Sequence, residues 1–193
     1  MSEPPKTIDE LDELDEDACR VALAPLFEGA PRFLARLCAD RPFGDEARLF
    51  SRARAIAHAL PEPEQLELID AHPRLGAARG SVSSLSFAEQ GYDRERTGAV
   101  ADLESTRVAG ELDRLNAAYE ARFGFRYCVF VAGRPHAALL PGFEAAFGAS
   151  RDAEIARALD AVVDIAADRY RTVMGPDGPI PEARDAGPAA RGP

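Results

Sequence analysis

The sequence lacks long apolar runs: none approaches the roughly 18 residues that a membrane-spanning helix requires. Its first residues are acidic and polar rather than basic and then apolar, so no secretory signal is read there. Together these two absences predict a cytoplasmic protein. Cysteine is scarce and odd in number: Cys19, Cys38 and Cys128 carry no Cys-x-x-Cys spacing. That excludes a disulfide framework and a zinc signature, and leaves the thiols as small buried hydrophobes. Basic residues are outnumbered, 23 against 33 acidic, giving a net charge of −10 and a pI near 4.8. Nucleic-acid binding needs a basic face for the phosphates, so that class is set aside. No His-Glu-x-x-His metal helix, Gly-x-Ser-x-Gly elbow, Walker loop or Gly-x-Gly-x-x-Gly turn is present. No internal repeat is visible.

What remains suits one globular domain. A chain of 193 residues, 46% hydrophobic and 29% charged, buries about two-thirds or more of its unfolded surface without staples. The negative charge is concentrated in residues 1–17, which hold eight acids and one lysine. The rest is nearly balanced and leaves little long-range field to repel an anionic substrate. Residues 1–6 are short and polar. Residues 175–193 are rich in Pro, Gly and Ala and read as a disordered tail. The folded domain is therefore placed at 7–174.

Helical periods dominate inside it. Thr7 to Glu10 has capping-box spacing, and Pro31 opens a turn with Phe33, Leu34 and Leu37 inward. Leu49, Ala53, Ile56 and Leu60 form an amphipathic stripe that Pro61 and Pro63 end. Leu66 and Ile69 begin a short helix halted at His72-Pro73. A long helix runs through Leu112 and Tyr119 to Gly124, and a last one from Ile155 to Val173. Residues 76–85 read as a loop. Residues 127–132 look like a buried strand by composition but have no partner strand. A lone strand leaves its ladder unpaired, so this segment is predicted as helical or extended and packed between helices. The expected fold is an all-α, single-domain bundle of about seven to nine helices.

Among the side chains able to do chemistry, His72 stands apart. His58 sits near a helix C-terminus, where an imidazolium suits the dipole, and His136 follows a Gly-Arg-Pro turn. His72 closes an apolar helix, and Pro73 pushes its backbone out of the helical region. Its imidazole is therefore displayed at a helix end, either as a plain terminator or as an acid–base group. Ser86-x-x-Glu89 has capping-box spacing before a helix, and such a terminus also offers free amides to a polar ligand. Gln90 adds one donor and one acceptor. A serine nucleophile at Ser86 with His72 as base fits the arithmetic, but no strained elbow marks it. An acidic N-terminus and a Pro/Gly tail also fit an interaction module.

Four runs occur in order: Leu68-Ile69-Asp70-Ala71-His72-Pro73-Arg74-Leu75-Gly76, then Ser86-x-x-Glu89-Gln90, then Leu115-Asn116-x-x-Tyr119-x-x-x-Phe123-Gly124-Phe125, then Val131-Ala132-Gly133-Arg134. Taken together they resemble the 2-oxo-4-hydroxy-4-carboxy-5-ureidoimidazoline (OHCU) decarboxylase family of uric acid degradation. The resemblance spans about Thr7 to Val173. It implies an all-α, cofactor-free, homodimeric enzyme that binds a small ureide, releases CO2 and delivers (S)-allantoin. It implies His72 as the acid–base group and Glu89 as its partner or a ligand of the ureido N–H groups. Ser86 and Gln90 would fix polar atoms of the substrate, Pro73 would form a wall, and main-chain groups near Phe125 would complete the pocket. The sequence departs from the family where a late arginine is expected, because the matching run reads Ala146-Phe147-Gly148-Ala149. Arg134 is the substitute predicted, ahead of Arg126 and Arg151. That departure also leaves open the same fold with a changed substrate, or a non-catalytic ureide-binding relative.

Overall fold

The computed structural model describes residues 6–77, 83, 85, 86, 90 and 99–175. The two predicted tails, apart from Lys6 and Gly175, lie outside these residues, as do most of the 76–85 loop and Glu89. Eight α-helices and no strand occur among the described residues: α1 Ile8–Glu13, α2 Glu16–Leu23, α3 Pro31–Ala39, α4 Glu46–Ala59, α5 Glu62–Asp70, α6 Ala99–Phe123, α7 His136–Ala146 and α8 Arg151–Met174. The all-α expectation holds. No helix among the described residues is long and apolar enough to cross a membrane.

Local sequence accounts for most helix starts. The Thr7 hydroxyl accepts from the Glu10 N–H, and the Glu10 carboxylate accepts from the Thr7 N–H, as a capping box requires. Asp15, Asp45 and Ser150 cap α2, α4 and α8 through their side-chain oxygens. Pro31 stands in the first turn of α3, where its missing N–H costs nothing. Pro61 and Pro63 act differently from the expectation. They do stop α4, but Pro63 then sits in the first turn of α5, which begins at Glu62, four residues before Leu66. Helix α7 was not anticipated, because Pro141-Gly142 lies inside it. Its Leu139, Phe143 and Ala146 are buried, and that packing outweighs the bond the proline removes.

Helix α8 is the axis of the bundle. Ile155, Ala158, Leu159, Val162, Val163, Ala166 and Tyr170 are all buried along it, and it packs against α4 and α5. In the dissenting segment 127–132, residues 127–131 are neither helix nor strand and Ala132 turns at φ 51, so the helical form is excluded. An aromatic cluster lies behind it. Tyr119 has ring centroids of Phe125, Tyr127 and Phe143 at 5.5, 5.2 and 5.8 Å, and Tyr127 stacks on Phe143 at 3.7 Å.

Candidate active site

The end of α5 delivers His72. Its N–H bonds the Ile69 carbonyl at 3.1 Å, and its ring Nδ1 meets the Leu68 carbonyl at 3.3 Å. A carbonyl only accepts, so Nδ1 carries the proton and Nε2 carries the lone pair. The terminator reading and the acid–base reading are both satisfied, one by each nitrogen. Nε2 is buried without a hydrogen-bond partner among the described residues. The main chain around it is pinned from outside: Arg126 donates to the Asp70 and His72 carbonyls at 2.6 and 3.0 Å.

Beyond His72 the chain turns through Pro73 and Gly76. Gly76 has φ +78, and a Cβ there would stand 2.7 Å from the Leu112 side chain, so only glycine fits. Its N–H donates to Gln90 Oε1 at 3.0 Å, and the Asn116 amide donates to the Leu75 carbonyl at 2.9 Å. Gln90 therefore holds the loop that follows the histidine.

The second charged element comes from α8. Arg169 is buried, only 2% exposed. Its guanidinium donates to Ser86 Oγ at 2.7 Å, to Glu28 Oε1 at 2.9 Å and to the Leu26 carbonyl at 3.2 Å. Ser86 in turn donates to Glu28. Glu28 sits at φ 51, in the left-handed region, a strained state for a non-glycine residue that its three polar contacts maintain. Arg169 Nε–H is buried and has no partner among the described residues. His72, Pro73, Leu75, Gln90, Tyr127, Cys128, Val129, Val131, Ile165 and Arg169 line one narrow recess of about 20 Å³.

The electrostatics follow from burial and these neighbours. Burial holds the His72 pKa down, the Arg169 charge lowers it further, and Glu28 and the Leu68 carbonyl offset them in part; the result is about 4. The imidazole is thus neutral near pH 7, with a lone pair on Nε2 that can accept a proton. Burial pushes the Glu28 carboxyl up, but the Ser86 hydrogen bond and the Arg169 charge outweigh it, so it lies below the usual carboxylate range.

The structure brings His72, Pro73 and Gln90 into one recess, with Ser86 behind it on Arg169. Phe125 is placed elsewhere, inside the aromatic cluster. Arg134 is exposed and closes on its own turn, donating to the Val131 and Phe130 carbonyls at 2.9 and 2.6 Å. It does not line the recess, so the substitute counter-charge is not Arg134. A buried arginine does reach the recess from α8, Arg169. The sequence held a signal for it. Arg169 falls three residues after Ala166 and seven after Val162, on the apolar stripe of the last helix, where a charge is out of place. Glu28 carries no comparable signal in the sequence.

A neutral imidazole lone pair and a guanidinium N–H, both buried in one recess of an all-α chain, define an enzyme that handles an anion and a proton on a small molecule. The family model for OHCU decarboxylase matches residues 12–171. The chain belongs to that family. It is 32% identical over 162 residues to the 2-oxo-4-hydroxy-4-carboxy-5-ureidoimidazoline decarboxylase of Haloferax volcanii, covering 83% of this chain and 91% of that one. It is 30% identical over 172 residues to the uric acid degradation bifunctional protein PucL of Bacillus subtilis, covering 87% of this chain but 33% of that longer protein. Its fold is similar to a crystal structure of OHCU decarboxylase determined in the presence of (S)-allantoin. The TM-score is 0.60 at 21% identity, covering 83% of this chain and 98% of that one.

Proposed function

We propose that the recess between His72 and Arg169 carries the reaction of the family, the decarboxylation of OHCU to allantoin in uric acid degradation. The observation that carries this reading is the pair of unpartnered buried atoms, His72 Nε2 and Arg169 Nε–H. One can take a proton, and the other can meet a carboxylate.

The chemistry needs little else. The bond from C4 to the carboxylate breaks, and its electron pair forms the C4–C5 double bond. The adjacent C=N π pair moves onto the ring nitrogen, which takes one proton from solvent, so the ring itself is the electron sink. His72 Nε2 takes the proton of the C4 hydroxyl, which becomes a carbonyl. The imidazolium then returns a proton to the neighbouring C5, and the face on which it does so sets the product's configuration, (S) in this reading. Arg169 orients the carboxylate out of the ring plane, where bond breaking is aligned with the π system. The incoming carboxylate also raises the basicity of His72 relative to the empty site.

Glu89, one residue before the recess-lining Gln90, is proposed to bind the ureido N–H groups. The protein is further proposed to be a cytoplasmic homodimer. Residues 103–107 of α6 are all exposed, Leu103 among them at 75%, and sedimentation equilibrium reads the assembly directly. The test of the activity is to generate OHCU in situ with a urate oxidase and a hydroxyisourate hydrolase. Circular dichroism then follows optically active allantoin on adding this protein. A fast one-handed signal is expected; a signal equal to the spontaneous background overturns the reading.

A further inference from the structure

The extended segment 126–131 forms one wall of the recess through Tyr127, Cys128, Val129 and Val131. A single extended segment has no neighbouring strand to satisfy its main chain. Side chains do this instead. The Asp70 carboxylate accepts from the Arg126 N–H at 2.8 Å, and Arg134 takes the Phe130 and Val131 carbonyls. At the centre, Arg157 Nη1 donates to the Cys128 carbonyl at 2.8 Å.

Arg157 is held far more firmly than one carbonyl requires. Its Nε and Nη2 fork onto the Glu154 carboxylate at 2.8–3.1 Å. Its guanidinium lies 4.5 Å from the centre of the Tyr127 ring. Glu154, 3% exposed, also accepts from the Tyr119 hydroxyl at 2.7 Å. An ion pair of this kind, with Glu154 buried and Arg157 half-buried, is no more stabilising than well-packed hydrophobes of similar volume. What it adds is direction: the guanidinium plane fixes where the Cys128 carbonyl stands. Arg157 and Arg169 also share α8, 12 residues and so about 18 Å apart. One rigid helix thus sets both the anion-binding group and the opposite wall.

We propose that Arg157, aligned by Glu154 and Tyr119, is a positioning residue. Through the Cys128 carbonyl it fixes the wall that decides which face of the substrate ring His72 reaches. The proposal rests on the decarboxylase reading above. A loosened wall lets the ring tilt, which slows proton return and admits delivery to the wrong face.

The test compares Arg157→Lys and Tyr119→Phe with the wild type and His72→Asn. Each variant is first checked for a folded circular dichroism spectrum and a cooperative thermal transition. Lysine keeps the charge but reaches either Glu154 or the carbonyl, without the fork. Arg157→Lys is expected to lower kcat about 10-fold or more, the scale of a sub-ångström to ångström misplacement, with KM nearly unchanged. The enantiomeric excess of the enzymatic allantoin should fall with it. Tyr119→Phe should move the same readouts less far, and it decides the matter if Arg157→Lys does not fold. An inactive wild type removes the decarboxylase reading itself. An active wild type whose folded variants match it in kcat and enantiomeric excess removes the positioning role alone.

Discussion

Replacing Arg169 by Met separates what the buried ion pair does for the fold from what it does for the substrate. The single variant leaves the Glu28 carboxylate enclosed by Ser86 and Ser83 with no counter-charge. Breaking one side of a buried pair costs about 3–5 kcal/mol, a large share of a domain's stability. The cost should shrink as pH falls, because a protonated Glu28 needs no cation. The double variant Glu28→Gln/Arg169→Met removes both charges, keeps an acceptor for Ser86, and should recover most of the lost stability. Catalysis should not recover with it. Losing the guanidinium partner of a carboxylate costs about 3 kcal/mol of transition-state stabilisation, or roughly 100-fold in kcat/KM. Urea denaturation gives the stabilities, and the coupled OHCU assay gives the rates. A double variant with wild-type kcat/KM would refute the anion-binding role. A single variant as stable as wild type would refute the account of the pair.

Three further outcomes follow from the geometry. His72→Asn keeps a donor toward the Leu68 carbonyl but loses the base, so kcat should drop about 100-fold or more with little change in fold, read in the same assay. The folded pKa of His72, about 4, lies below its ordinary 6.5. Its contribution to stability is therefore fully present above pH 6.5 and declines as pH falls to about 4, by roughly 3 kcal/mol in all; urea midpoints at pH 7 and pH 4.5 check the sign, and an acid limb of kcat/KM well below pH 6 checks the base. Gly76→Ala forces a Cβ against Leu112 at φ +78, and should cost about 1–3 kcal/mol in a thermal melt.

Most of the fold was legible because its helices declare themselves locally. The capping box at Thr7 and the stripe of α8 need no tertiary information. Helix α7 was not legible, since Pro141-Gly142 signals a break that only the packing of Phe143 overrides. Residues 127–132 were legible as an apolar run, with helical and extended forms both left open, because their satisfaction by Arg157 and Arg134 depends on side chains from other turns and helices. For the site, His72 could be read because Pro73 gives a local reason for its display. Arg169 was missed because the search followed a motif around Ala146 instead of asking why a charge sat on a buried face. Ser86 and Gln90 were identified as polar residues of the site, yet the structure shows them bonding to Arg169, Glu28 and the loop at Gly76.

Helix α8 carries Arg157 behind the Cys128 wall and Arg169 in the recess itself, with no break between them. A helix counts residues: one inserted between these two turns everything beyond it by about 100° and moves it about 1.5 Å. Arg169 would leave the interior, and the acidic Asp168 would turn into its place. The spacing inside α8 is therefore a frozen length. Related chains that keep the chemistry can lengthen or shorten at their loops, but not there.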